Sequence, residues 1–340
     1  MPEDGPSPAK IMELGLGFQA SKTLLTAVEL GVFDALAAGP KTRGDIEDEL
    51  GIHRRASADF LDALVALELL DREDGRYRNT AETDAFLVPG KPSYIGGFLE
   101  MANDRLYPFW EDLGDAVRTG RTQNELEEDG AHPFEGVVYH DDAILEQFLG
   151  AMTGLSLGVA NALAGGFPWQ EHETVVDLGT SEGVVPKRIA EEHDHVTAIG
   201  VDLPRVEPYF REFTDESPAA DRIEFRTGDF FADEALPRAD VYVLGHILHD
   251  WGLERKREIL EKVADAVNPG GTVIVYGTMI DEERREAVTG LLMSLNMLVE
   301  TPNGFDYTPG QCIEWLHEAG FEGGESEPLP GPETMVVARK

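Results

Sequence analysis

The sequence predicts an α/β protein in which a mostly helical N-terminal part precedes a doubly wound parallel sheet. The length of 340 residues is sufficient for two domains. The N-terminal part shows apolar residues at helical spacing and then a short hairpin pattern. From Glu173 onward, strand-like runs alternate with helical runs, which is typical of a parallel sheet covered by helices on both faces.

Three helical segments and a hairpin make up the predicted N-terminal domain. Thr42 is suited to cap the second helix, and Gly51 is suited to end it. A turn at Asp74-Gly75 joins the two extended segments that follow. We predict helices over residues 11–38, 44–50 and 55–70, extended segments over 69–72 and 76–80, and a mostly helical stretch over 92–165. Three helices followed by a hairpin are the pattern of a winged helix.

The predicted sheet occupies the second half of the chain. Its strands are predicted over residues 174–178, 196–201, 223–226, 241–244, 272–276 and 333–338, and its helices near 185–193, 204–213, 254–267 and 309–319. We therefore divide the chain into a winged-helix domain over 1–105, a helical connector over 106–165 and a sheet domain over 166–340.

The net charge of −37 is the strongest feature of the composition. Repulsion of this size destabilises a compact state unless salt screens it, so we expect a halophilic source rather than an ordinary acidic protein. The same charge argues against nucleic-acid binding, which needs cationic patches. Cys312 is the single cysteine, so no disulfide can form within the chain, in keeping with a reducing cytoplasm.

The sequence also indicates no membrane attachment. No stretch of 18 apolar residues is present, so we expect no membrane span. Residues 1–8 lack the basic and apolar regions of a signal peptide, and we interpret them as a short disordered leader. We predict no metal site.

Candidate ligand-binding residues follow three successive predicted strands. In a doubly wound sheet, ligands bind beyond the carboxyl ends of the strands, where glycine lets the backbone approach them closely. A carboxylate after the second strand can accept hydrogen bonds from ribose hydroxyls. A carboxylate after the third can accept one from an adenine amino group, with an aromatic ring against the base. The candidates are Asp177, Gly179 and Gly183, then Asp202, and then Asp229 and Phe230.

The spacing of the glycines distinguishes between two cofactors. NAD-binding loops carry the pattern G-x-G-x-x-G, whereas Gly179 and Gly183 are spaced G-x-x-x-G with Ser181 between them. This spacing favours S-adenosylmethionine (SAM), although such a pair alone is also typical of an ordinary turn between a strand and a helix. The three aspartates at successive strand ends make SAM the better prediction.

A string after the fourth predicted strand carries a family resemblance. The segment Gly245-His246-Ile247-Leu248-His249-Asp250-Trp251, with Asn268-Pro269-Gly270-Gly271 after the next helix, resembles the plant phenolic and acetylserotonin-type O-methyltransferases. The resemblance covers nearly the whole chain. Residues 18–80 are similar to the family's winged-helix dimerisation domain, and residues 175–206 to its SAM loop. It implies a Rossmann-like class I methyltransferase domain, a homodimer and a small hydroxylated acceptor.

The resemblance also implies roles for single residues. His249 would be the general base, which suits a side chain that titrates near neutral pH. The alternative is a histidine that pairs with Asp250 for stability, although we expect Asp250 to point away from it. Asp306 would be the acid that stabilises the protonated base. Matching positions place Ser156 toward SAM, and Phe148 and Met152 toward the acceptor. The region where the family lines its acceptor pocket also contains Met293, Asn296 and Met297. The spacing of Phe148, Met152 and Ser156 puts them on one helix face, a pattern also typical of plain core.

The chain departs from the family's pattern at several positions. Thr180 and Ser181 stand in a loop where the family has a run of glycines. Gly277 stands where the family often has a glutamate near the base, and Asp306 is shorter than the family's second glutamate. The changes at Gly277 and Asp306 would weaken the acids that orient the protonated histidine.

We therefore predict a cytoplasmic, homodimeric, SAM-dependent O-methyltransferase that acts on a small aromatic metabolite. Two alternatives stay open. The first is a family member that binds SAM but catalyses hydroxylation or decarboxylation. The second is a winged-helix regulator that senses SAM. The charge of −37 and the lack of a basic recognition helix in the sequence weigh against the regulator.

Overall fold

The computed structural model describes residues 6–124, 132–232 and 235–340. The chain divides into two compact units, Met1–Tyr107 and Pro108–Lys340. Part of the predicted leader (residues 1–5) and part of the predicted helical stretch (residues 125–131) lie outside the described residues. The domain boundaries after residues 105 and 165 stay predictions.

The N-terminal unit combines helices with a small antiparallel sheet. Its elements are α1 (Ala9–Glu29), α2 (Val32–Ala35), β1 (Lys41–Thr42), α3 (Arg43–Leu50), α4 (Arg54–Ala66), β2 (Leu70–Glu73), β3 (Arg76–Asn79), α5 (Ala81–Leu87) and α6 (Gly96–Met101). The described strands lie in the order β1-β3-β2. Fully buried side chains from α2, α3 and α4, such as Phe33, Ile46 and Leu61, form its core.

Local sequence signals explain where these helices begin and end. The Thr42 hydroxyl accepts a hydrogen bond from the Asp45 N–H, and the Asp45 carboxylate accepts one from the Thr42 N–H, so a capping box begins α3. Gly51 ends α3 with a φ of 68°. The prediction of one helix over 11–38 is wrong. Gly31 adopts a left-handed φ of 71°, which ends the first helix and separates α1 from the short α2.

The second unit contains the larger sheet. Its helices are α7 (Tyr107–Glu111), α8 (Leu113–Thr119), α9 (Asp142–Gly166), α10 (Val184–Glu192), α11 (Glu207–Thr214), α12 (Leu253–Ala266), α13 (Val288–Glu300) and α14 (Pro309–Glu318), the first of which begins at the boundary residue. Its strands are β4 (Thr174–Leu178), β5 (Thr197–Asp202), β6 (Ile223–Thr227), β7 (Ala239–Gly245), β8 (Val267–Gly277), β9 (Glu322–Pro328) and β10 (Thr334–Arg339).

The described residues form a seven-stranded sheet in the order β6-β5-β4-β7-β8-β10-β9. The strands β4 to β8 run parallel, and β10 is antiparallel to both of its neighbours. Helices cover both faces, because one apolar cluster joins the sheet to α12 and α14 and another joins it to α9 and α10. The Rossmann-like prediction is therefore confirmed, with one strand missed. The missed strand β9 lies at the edge and has the sequence Glu-Gly-Gly-Glu-Ser-Glu-Pro.

Helix α9 is long and apolar enough, by length and composition alone, to cross a membrane. The sequence analysis predicted no such segment. Its residues Leu145, Leu149 and Leu163 are fully buried within the second unit. In the apolar window that meets this criterion, 33% of the residues are buried, and core helices of soluble proteins can meet the same criterion.

Candidate active site

The parallel strands bring the candidate residues to one edge of the sheet. Strands β6, β5, β4 and β7 are successive parallel neighbours, so their carboxyl ends and the loops that follow them lie side by side. The loops after these strands contain most of the residues that the sequence singled out. A ligand bound at this edge can contact several of them together.

Two glycines let the loop after β4 pack closely against its neighbours. Gly179 has a φ of 73°, and a Cβ there would lie 2.3 Å from Cδ1 of Ile247. Gly183 has a φ of 87°, and a Cβ there would lie 2.4 Å from Cε2 of Phe210. No other residue type fits either position without displacing a side chain or straining the backbone.

Thr180 and Ser181, which replace family glycines, bind the strand-end carboxylates. The Thr180 hydroxyl donates a hydrogen bond of 2.7 Å to Asp177. Ser181 adopts a left-handed φ of 53°, and its N–H donates a 2.9 Å hydrogen bond to Asp202. Burial raises the pKa of Asp177 to about 7, although the Thr180 hydroxyl opposes the rise. The altered loop is therefore held to the strand ends by the Thr180 side chain and the Ser181 backbone.

Asp202 has the position and the chemistry to bind ribose hydroxyls. It ends β5, is buried, and accepts hydrogen bonds from the Leu203 N–H (2.8 Å) and the Tyr139 hydroxyl (3.3 Å), besides that from Ser181. Burial raises its pKa to about 6 against the effect of these donors. An ionised carboxylate offers about four acceptor sites, so capacity for a further hydroxyl donor remains. This remaining acceptor capacity, at the end of β5, fits the ribose hydroxyls of SAM.

The remaining cofactor candidates differ in their surroundings. Asp229 is exposed and accepts a 2.8 Å hydrogen bond from the Phe231 N–H. Phe230 packs edge-on against Trp251, with 6.1 Å between the ring centroids. Ser156, on α9, lies beside Tyr276 near the end of β8, where it partly opposes the rise in the Tyr276 pKa that burial causes. Their contacts with a cofactor stay predictions.

His249 lies between two carboxylates just beyond the end of β7. Its Nδ1 is 3.3 Å from Oδ1 of Asp306, and its Nε2 is 3.6 Å from Oδ1 of Asp250. Both contacts are ion pairs at a buried position, although neither nitrogen forms a well-directed hydrogen bond with its carboxylate. Burial lowers the pKa of His249, but the two carboxylates outweigh this effect and raise the pKa to about 9.

The expectation that Asp250 points away from His249 is wrong. His249 Nε2 lies 3.6 Å from Asp250 Oδ1, although adjacent side chains in a helical turn such as Leu248–Asp250 ordinarily project in different directions. Asp250 is buried, which raises its pKa to about 7 although the positive charge of His249 opposes the rise. Asp250 therefore joins Asp306 as a counter-charge for the histidine.

A buried lysine that the sequence analysis missed supports the segment with Asp306. The Lys256 ammonium, on α12, donates a 2.7 Å hydrogen bond to the Phe305 carbonyl and lies 3.2 Å from the Phe305 ring centroid. The Asp306 N–H in turn donates to the Ser294 hydroxyl at 3.2 Å. Burial lowers the pKa of Lys256 to about 7. A lysine within an amphipathic helix gives no sequence signal that it is buried.

Two further polar residues near the base were also missed as site residues. His246 lies one turn before His249, with 5.7 Å between the ring centroids. Its Nε2 is 3.6 Å from Oε2 of Glu333, which belongs to the loop between β9 and β10. Glu333 is 56 residues beyond Gly277 in the chain, so only the sheet pairing brings it here.

The acceptor-side candidates lie on α9 and α13. Phe148 packs edge-on against Phe134, with ring centroids 5.4 Å apart. Asn296 accepts a 2.9 Å hydrogen bond from the Trp110 indole N–H and donates one of 3.0 Å to Glu300. Helix α13 contacts the turn that carries His249. Met297 is buried, and Met152 and Met293 are half-buried. Their contacts with an acceptor stay predictions.

This sheet order, with one antiparallel strand beside β8 and a ligand-binding edge suited to SAM, defines a class I SAM-dependent methyltransferase. An O-methyltransferase domain model matches residues 110–322, and an O-methyltransferase dimerisation domain model matches residues 12–89. The chain belongs to the SAM-dependent O-methyltransferase family, of the plant and bacterial phenolic type.

Known proteins resemble the chain over almost its whole length. The tetracenomycin polyketide synthesis 8-O-methyl transferase TcmO of Streptomyces glaucescens is 42% identical over 98% of this chain and 97% of that protein. The 3-hydroxy-5-methyl-1-naphthoate 3-O-methyltransferase of Streptomyces sahachiroi is 34% identical over 92% and 89% of the two chains. The structure of human N-acetylserotonin methyltransferase in complex with SAM matches with a TM-score of 0.89 at 28% identity, covering 100% of this chain and 99% of that one.

Proposed function

We propose that this enzyme transfers a methyl group to a phenolic hydroxyl of a small fused-ring aromatic metabolite, with His249 as the general base. The observation that carries the proposal is the position of His249 between Asp250 and Asp306 at the carboxyl end of β7. Two relatives support the acceptor class. One is named for 8-O-methyl transfer in tetracenomycin polyketide synthesis and the other for 3-O-methyl transfer to a hydroxynaphthoate.

The strand-end residues would hold the cofactor. Asp202 would accept hydrogen bonds from the ribose hydroxyls, and the loop that begins at Gly179 would run along the cofactor. Asp229 and Phe230 would contact the adenine. Bound SAM supplies a methyl group that its positively charged sulfur activates for transfer.

The protein's own residues would remove the proton from the acceptor hydroxyl. Because Nδ1 of His249 lies 3.3 Å from Oδ1 of Asp306, Nε2 of the neutral imidazole would be the nitrogen that accepts the proton. The imidazolium that forms is stabilised by both carboxylates, which is the reason for its raised pKa. A positioned base of this kind contributes roughly 10²–10⁴-fold to the rate.

The proposal is tested with SAM labelled in its methyl group and a panel of hydroxynaphthalenes and simple phenols. We expect a labelled O-methyl product from the native enzyme and none from His249→Ala, while calorimetry shows equal SAM affinity for both proteins. The matched control is His317→Ala, which removes a histidine from the exposed side of α14. Full activity of His249→Ala would refute the assignment of the base.

We also propose that the enzyme is a homodimer in a salt-rich cytoplasm, without nucleic-acid or membrane partners. The match to a dimerisation domain supports the homodimer, as do exposed apolar side chains in the first half of α1. These side chains belong to Ile11, Met12, Leu14, Leu16 and Phe18. The net charge of −37 is the ground for the salt-rich source and for the absence of nucleic-acid partners. Light scattering in high salt should give twice the mass of the chain, and a monomer would contradict the proposal.

A further inference from the structure

Four buried polar atoms without a hydrogen-bond partner cluster around the base, counting only the described residues. They are His249 Nδ1, Asp306 Oδ2, His246 Nε2 and Glu333 Oε2. The first two belong to the ion pair already described. An unsatisfied buried polar atom costs about 1–3 kcal/mol, so native proteins retain one where it serves a purpose. The pair of His246 and Glu333 therefore requires an explanation of its own.

His246 and Glu333 face each other without bonding to each other. The 3.6 Å between Nε2 and Oε2 exceeds the length of a hydrogen bond. Both side chains are 13% exposed. Burial, with the charge of His249, lowers the pKa of His246 to about 3, so the imidazole is neutral. Burial raises the pKa of Glu333 to about 7, although the charge of His249 opposes the rise.

The backbone conformation and the sheet pairing place His246 and Glu333 near His249. His246 adopts a left-handed φ of 55°, an unfavourable conformation for a non-glycine residue and one that recurs at functional sites. Its N–H donates a 3.1 Å hydrogen bond to the Tyr276 carbonyl, which ties it to the end of β8. Thr334 pairs with Gly277 across the sheet. Its neighbour Glu333 therefore lies beside Gly277, which has no side chain of its own.

We propose that His246 and Glu333 form an acceptor-binding pair, which hydrogen-bonds a second hydroxyl group of a polyhydroxylated aromatic acceptor beside the hydroxyl that His249 deprotonates. A hydroxyl both donates and accepts. It can donate its proton to the Glu333 carboxylate and accept one from the His246 imidazole, so it satisfies both atoms. A hydrogen or a methoxy group at that place on the ring cannot do this. The inference rests on the proposed function, because it assigns the acceptor of that reaction.

The test measures binding, so that it does not depend on turnover. The full-length protein is saturated with S-adenosylhomocysteine, and calorimetry compares 1,3- and 1,8-dihydroxynaphthalene with 1-naphthol and 3-methoxy-1-naphthol. The native protein should bind at least one diol about tenfold more tightly than both mono-hydroxy compounds, because a site built for a hydroxyl rejects analogues that lack it. In Glu333→Ala, this preference should disappear.

A matched control variant shows whether the effect is specific to Glu333 or follows from the loss of any carboxylate on this hairpin. Glu327→Ala makes the same change at an exposed position on the same hairpin and should keep the preference. Both variants should retain S-adenosylhomocysteine affinity, which shows that the fold is intact. With a diol that is turned over, Glu333→Ala should raise KM more than it lowers kcat.

Three results would overturn the acceptor-binding pair: no diol preference in the native protein, the same preference in Glu333→Ala, or no binding of any of these compounds at millimolar concentration. These results differ from a failure of the proposed function. If the diol binds selectively through Glu333 but no methylated product forms, the pair stands and the methyl-transfer proposal fails.

Discussion

Replacing Asp306 by Asn should turn His249 into a weaker base. The substitution removes a negative charge 3.3 Å from Nδ1 and preserves the size of the side chain. A nearby opposite charge shifts a pKa by roughly one to three units. The pKa of His249, about 9 in the native protein, should therefore fall. Each unit is about 1.4 kcal/mol of lost imidazolium stabilisation, so the maximal rate should fall at least about tenfold.

The assay is the initial rate of methyl transfer between about pH 6 and 10 at constant ionic strength, a range that brackets the histidine pKa. The native rate should rise with pH and level off above the His249 pKa, because only the neutral imidazole accepts a proton. The variant should level off at lower pH and at a lower rate, with unchanged SAM affinity. Asp265→Asn, at an exposed position on α12, is the control. If Asp306→Asn keeps the native midpoint and plateau, Asp306 does not act on His249.

Three other predictions concern the cofactor and stability. Asp202→Ala should weaken SAM binding by ~1–3 kcal/mol, measured by calorimetry, because it removes a buried acceptor; unchanged affinity would contradict the cofactor site. The apoprotein should lose stability as pH rises from about 4 toward 7, because the pKa of Asp177 is raised to about 7 on folding. Asp177→Asn should reduce this slope in thermal melts, and an unchanged slope would count against the raised pKa. Melting temperature should also climb between roughly 0.1 and 1 M salt, where the screening length falls from ~10 to ~3 Å; a flat profile would contradict the halophile prediction.

The strands and the cofactor-binding edge of the sheet could be predicted from local sequence patterns. Apolar runs ending in Asp177 and Asp202, and the glycines of the first loop, indicated the parallel sheet without knowledge of any distant contact. Chain topology then placed these strand ends side by side. The same reasoning missed the break at Gly31, because the apolar pattern continues on both sides of it.

The residues that were missed near the base depend on long-range pairing. Glu333 reaches the site because β10 pairs antiparallel with β8, and no local pattern around residue 333 predicts that register. Lys256 is fully buried through rings contributed by a segment about fifty residues later, including Phe305.

The exposed apolar side chains in the first half of α1 have a consequence for the lifetime of the enzyme in a cell. A unit that is complete only as a pair has a folding free energy that depends on protomer concentration, by about 1.4 kcal/mol for each tenfold change. Newly made chains at low abundance would then be more exposed to proteolysis than the same chains at high abundance. The amount of enzyme present would set its lifetime as well as its total activity.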